Sequence, residues 1–159
     1  MLFIKKLLII LSGYLLLFSP LGCNNRDNTL NKQTQLGNPP ALKILYQDKS
    51  IDAKRGTYSW TIDNNDGTKT TTNADSSAPP ELVKDSTQLT VSPKSSLNLS
   101  FSDKPTDITI NIWQDNKTIK QSIINDKVVT PELKGSVIYE VIGTWKQGTV
   151  SYAFLVNVD

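Results

Sequence analysis

Few side chains in this sequence can move protons, hold metals or attack electrophiles. There is no histidine, which removes the usual general base near neutral pH and the commonest transition-metal ligand. Cys23 is the single cysteine, so no thiolate cluster for zinc and no intramolecular disulfide can form. A hydrolase would then need a Ser–Lys pair or two facing carboxylates. The segment SPKSS sets Ser92 two residues before Lys94, in what reads as a turn. In DNNDGT, placing Gly67 at the sixth position of a calcium loop puts Ile62 at the first, and an isoleucine cannot ligate. Asp63, Asp66 and Asp75 could meet on a loop site, but their spacing does not require it. The expectation is a non-catalytic chain with no cofactor and no metal.

Binding chemistry is better represented. Tyr58, Trp60, Trp113 and Trp145 are large amphipathic rings that either fill a core or form an exposed platform for sugar rings or a peptide. Tyr58 and Trp60 are two apart, so on a strand they share one face. The segment DSSAPPELV carries Pro79, Pro80 and Glu81, a stiff extended loop that either presents these residues or simply crosses between strands. The candidate binding surface is therefore Tyr58, Trp60, Pro79, Pro80 and Glu81. Trp113 is read as a central core aromatic. Tyr139 is read as a packing residue at a strand-start corner, its hydroxyl bonded to backbone.

These side chains must be positioned by strands. From Ala41 onward the apolar period is two. SLNLSF alternates Leu97, Leu99 and Phe101 with polar residues, and DITINIW does so with Ile108, Ile110 and Ile112. VIYEVIGTW sets Val137, Tyr139, Val141, Gly143 and Trp145 on one face, and SYAFLVNV sets Tyr152, Phe154, Val156 and Val158 on one face. Such alternation marks strands with one buried side. Weaker strands are expected at 42–47, 57–63, 88–92 and 118–124. Asp66-Gly67 signals a hairpin into TKTTT, because glycine tolerates positive φ. No run of ten residues has helical spacing after the leader. Seven to nine strands at this spacing predict an all-β, antiparallel two-sheet sandwich of immunoglobulin-like type over 41–159.

The N-terminus bears on location. Lys5 and Lys6 precede a 12-residue apolar run, Leu7 to Phe18, followed by Leu21, Gly22 and Cys23. The run is short for a permanent span and fits the apolar region of a secretory signal peptide. PLGC resembles the lipobox of bacterial lipoproteins, although Pro20 stands where leucine is usual. The resemblance implies a signal peptide over 1–22, a diacylglyceryl group on the Cys23 thiol, and a lipid-anchored domain on the extracytoplasmic face of the cell membrane. Two acyl chains hold stably where one holds marginally. Residues 24–40, NNRDNTLNKQTQLGNPP, have two leucines and no aromatic, so they read as a flexible tether. Of 17 Lys and Arg against 15 Asp and Glu, only Lys5 and Lys6 lie before Cys23. The rest is neutral, without the basic footprint of nucleic-acid binding.

A second resemblance covers residues 42–158. The Tyr58-to-Trp60 segment, the PPEL of Pro79 to Leu82, the strand pair Leu89 to Phe101 and YEVIGTW…VSYAFLV are similar to a group of uncharacterised lipoproteins and receptor-like extracellular domains of Gram-positive bacteria. In that group a cysteine often stands where this chain has Ser59. The resemblance implies fold and location, with a Gram-positive membrane favoured over a Gram-negative one, but no activity. The expected function is a surface interaction module with a cell-wall or membrane-protein partner. Alternatives are an accessory or sensory domain tuning a neighbouring membrane protein, and an enzyme with an unusual Ser/Lys or carboxylate site.

Overall fold

A computed structural model describes residues 37–115 and 117–159. Cys23, the leader and tether residues 24–36 lie outside the described residues. The elements are β1 (Leu42–Tyr46), β2 (Lys49–Asp52), β3 (Lys54–Asp63), β4 (Lys69–Ala74), α1 (Pro79–Val83), β5 (Leu89–Val91), β6 (Ser96–Phe101), β7 (Asp107–Gln114), β8 (Lys117–Gln121), β9 (Lys127–Val129), β10 (Gly135–Trp145) and β11 (Gly148–Val158). The smaller sheet runs β2-β1-β6-β9. The larger runs β4-β3-β11-β10-β7-β8, with β5 added beside β11. All pairings are antiparallel except β5 with β11. The two-sheet sandwich expected from the alternation is the observed fold, consistent with the immunoglobulin-like type.

The described strands number eleven rather than seven to nine. The two additions are β2 and β9. Each is short and at a sheet edge, where only one or two side chains need face the core, so no alternation is written into them. The β3–β4 hairpin forms as expected. Gly67 adopts φ +83°, and Asn64 N–H donates to Thr68 O at 2.8 Å.

The four alternating sets all face inward. Leu42, Ile44, Leu97 and Leu99 of the smaller sheet meet Ile110, Val141, Phe154 and Val156 of the larger in one buried cluster. Aromatic rings extend it between the sheets. Trp60 meets Trp145 edge-on at 5.6 Å between centroids, Trp145 meets Phe101 at 5.7 Å, and Phe101 meets Tyr152 at 6.0 Å. Trp145 folds back over its own strand, so a Cβ on Gly143 would lie 2.4 Å from the indole. That close approach accounts for a glycine on the buried face of a strand.

The row of rings ends where the chain enters the domain. Tyr152 Oη donates to the Pro40 carbonyl at 2.6 Å, and Arg55 donates to the Pro39 carbonyl at 2.7 Å. The corner bond to backbone expected of Tyr139 is thus made by Tyr152. The Tyr139 ring lies flat on Phe154, centroids 4.9 Å apart, and its hydroxyl has no hydrogen-bond partner. The residue is fully buried in the core between the sheets. Burial raises both phenol pKa values above the ordinary range, Tyr152 against the opposing charge of Arg55.

Two expectations follow. Trp60→Ala should cost about 3–5 kcal/mol in denaturant unfolding, the range for losing a core aromatic; an unchanged stability would mean the ring is not packed. The two tyrosines should respond oppositely to the same change. Tyr152→Phe should lose about 1 kcal/mol with its bond to Pro40, while Tyr139→Phe should be neutral or stabilising, since it removes an unpaired buried hydroxyl. Equal losses would contradict this hydrogen-bond assignment.

Candidate functional site

The five candidate surface residues do not come together. Trp60 is buried in the core, 4% exposed, and Tyr58 is half-buried on the same inner face. Neither belongs to an exposed platform. Pro79, Pro80 and Glu81 belong to α1, where a loop was expected. The two prolines occupy its first turn, where a missing N–H costs nothing. Glu81 and Leu82 N–H groups both donate to Ala78 O at 3.0 Å. Five residues are too few to show a helical period.

This helix covers the outer face of the larger sheet. Val83 is fully buried with Ala153 and Leu155 of β11, and Leu82 and Ile138 pack around them. Glu81 points to solvent and pairs with Lys84. The β3–β11 ladder slips between Val150 and Tyr152, setting Gly56 and Thr57 against Ser151. A Cβ on Gly56 would come within 3.6 Å of the Leu82 side chain, so the helix sits close on the bulge.

Beside the helix is a polar group that the sequence reading did not collect. Trp113 is not a core aromatic. It lies half-buried on the outer face, opposite Ile138 in register. Its Nε1–H donates to Glu140 Oε2 at 3.1 Å. Asn111 Nδ2 donates to the same oxygen at 3.2 Å, and Ser151 Oγ donates to Glu140 Oε1 at 3.2 Å. Three strands thus contribute: Asn111 and Trp113 from β7, Glu140 from β10, Ser151 from β11. Glu140 is two residues beyond the partner of Trp113, so the indole leans diagonally across the sheet to reach it. Among the described residues, no other ring or cation stacks on the indole, and no Lys or Arg pairs with Glu140.

The other chemical candidates resolve into structural contacts. Lys94 Nζ pairs with Glu132 at 2.8 Å, at the far side of a turn from Ser92. Asp63 pairs with Lys69 at 3.1 Å. Asp66 accepts from the Thr68 hydroxyl at 2.7 Å and the Thr68 amide at 2.9 Å, which holds its carboxyl below the usual range, the hydroxyl having the larger effect. Among the described residues, no three metal-ligating side chains converge. A cleft of about 340 Å³ opens beside Lys104, Asp107, Ile123 and Asp126. It is spanned by the Lys104–Asp126 pair. No family model, curated protein or solved structure matches the chain.

The Glu140 hub yields a direct check. The chain has three tryptophans, hence three indole N–H resonances. Glu140→Ala should move the Trp113 resonance and leave those of Trp60 and Trp145 in place. The stability loss should stay near 1 kcal/mol, because water reaches half-buried donors. Three unmoved resonances would mean that the Trp113–Glu140 bond does not form.

Proposed function

We propose that this chain is an extracytoplasmic lipoprotein, held to the cell membrane through a diacylglyceryl group on Cys23, whose β-sandwich serves as a non-catalytic interaction module. The observation that carries the reading is LGC two residues beyond a 12-residue apolar run that follows a basic start. No other residue in the chain offers a thiol for such an anchor. Residues 24–36 separate that cysteine from the first described residue, and Arg55 and Tyr152 grip the Pro39 and Pro40 carbonyls at the domain's entrance. A firm entry point of this kind suits a domain held from its N-terminal side. The partner is sought at the envelope, in cell-wall material or another membrane protein, and not among nucleic acids.

A second reading, an accessory or sensory domain working on a neighbouring membrane protein, has one observation in its favour. Ile119, Ile124, Val129 and Leu133 are the exposed large apolar side chains among the described residues. Ile119 lies in the edge strand β8, Val129 in the edge strand β9, Ile124 between these two and Leu133 between β9 and β10. Apolar groups left in water at sheet edges are suited to protein contacts.

The anchor is tested by metabolic labelling with a tagged fatty acid. The parent chain should take up the label and sediment with membranes. Cys23→Ser should take up none, and should either appear in the medium or accumulate unprocessed. A parent chain that acquires no lipid would end the lipoprotein reading.

A further inference from the structure

We propose that the outer face of the larger sheet, at Trp113, Asn111, Glu140 and Ser151, is a binding site for a neutral pyranose of a cell-envelope or extracellular glycan. The proposal rests on the interaction-module reading above and gives that module a ligand class.

The first argument concerns what the site offers. Trp113 presents a half-buried indole on the outer face, pinned at its N–H by Glu140 at 3.1 Å. A pinned ring loses little freedom when something stacks on it. One face of a pyranose with equatorial hydroxyls is a patch of C–H groups matching such a ring in size. Around the indole stand the groups that hydroxyls need. Glu140 accepts from three neutral donors through its two oxygens, and a carboxylate has about four lone-pair sites. One acceptor position remains. Among the described residues, the Asn111 amide oxygen takes no hydrogen bond, and Ser151 Oγ can still accept. An apolar ring face with a few fixed polar groups is the make-up of a small-ligand site.

The second argument excludes other ligand classes. The strip lies in the body of the sheet, where β7 has β8 and β10 on its two sides and β10 has β7 and β11. Their backbone groups are already paired, so a peptide adding a strand gains nothing there. Nucleotides and other phosphate-bearing ligands would bring negative charge up to Glu140, which pairs with no cation; Lys120 of β8 lies two strands away from it, across Asn111. A neutral, hydroxyl-rich ring meets neither obstacle.

The third argument concerns shape. The helix α1 stands on Leu155, Ala153 and Ile138, and Ile138 is the cross-strand neighbour of Trp113. The helix therefore forms a raised wall on one side of the indole. On the other side the sheet is low, and β8 ends it with the exposed Thr118 and Lys120, opposite Trp113 and Asn111. A shelf with one wall fits a sugar within a chain and leaves the polymer free to continue past it.

The test uses the full lipidated chain in detergent micelles with its tryptophan indoles labelled for NMR. It is titrated separately with cellohexaose and with the hexamer of N-acetylglucosamine. At least one sugar should shift the Trp113 indole resonance saturably while those of Trp60 and Trp145 stay fixed. Trp113→Ala should weaken binding by about tenfold or more, and Asn111→Ala should weaken it by a smaller factor. Trp113→Phe, which keeps a ring, should melt with the parent and retain weakened binding, so loss of fold is separable from loss of contact. No Trp113 shift with either sugar into the millimolar range overturns the proposal, as does full binding by Trp113→Ala. These results leave the membrane anchor standing if the chain still carries lipid. A chain without lipid overturns the anchored-module reading whatever the sugars do.

Discussion

The eleven-residue ladder between β10 and β11 is the constraint on which the rest of this domain hangs. It runs without a slip from Gly135 opposite Val158 to Trp145 opposite Gly148. Because side chains alternate along a strand, that register divides both strands into an inner and an outer set, and a one-residue slip would exchange them. The inner set contains Tyr139, Val141, Trp145, Tyr152, Phe154 and Val156, the centre of the sandwich core. The outer set contains Ile138, Glu140, Ser151, Ala153 and Leu155, which carry both the seat of α1 and the hub of the polar cluster. Core and candidate site are therefore two faces of one object. Burying the inner side chains fixes the outer ones relative to each other.

This explains which parts of the molecule could be read in the sequence. Wherever one face of a strand is buried and the other wet, as in β6, β7, β10 and β11, the alternation reports directly on the fold. It is silent where packing does not follow a period. The edge strands β2 and β9 are too short to show one. The helix α1 has one turn and begins with two prolines, which look like extended chain until a sheet receives Val83. The strand β11 is buried on both sides near its end because of that helix, and only the inner side was legible.

Trp113 is the instructive error. Its size and aromaticity argue for the core, yet parity argues against it. Ile108, Ile110 and Ile112 claim the inner face of β7, which leaves Thr109, Asn111 and Trp113 on the other. Parity was the stronger physical signal, because a strand cannot turn one side chain inward without a bulge. The same parity put Glu140 outward between Tyr139 and Val141. What no pattern could supply was the lateral order of β7, β10 and β11, which brings the four side chains together. Adjacency across a sheet comes from topology, not from spacing along one chain.

Glu140 is also hard to explain by stability alone. A carboxylate held half-buried among neutral donors, with no paired cation, gains hydrogen bonds but gives up hydration. Replacing hydrogen-bonded partners with apolar groups of the same shape can be nearly neutral or stabilising. Its neighbours Ile138 and Ile142 show that this face of β10 accepts isoleucine. A third isoleucine between them would have packed against Trp113 and continued the apolar seat of α1 with no need for Asn111 or Ser151. Asn111 and Ser151 instead donate to Glu140, which also holds the indole N–H of the half-buried Trp113. Hydrogen bonds from β7 and β11 meet at one carboxylate on β10, so the polar cluster ties the three strands together on the outer face as the core does on the inner one.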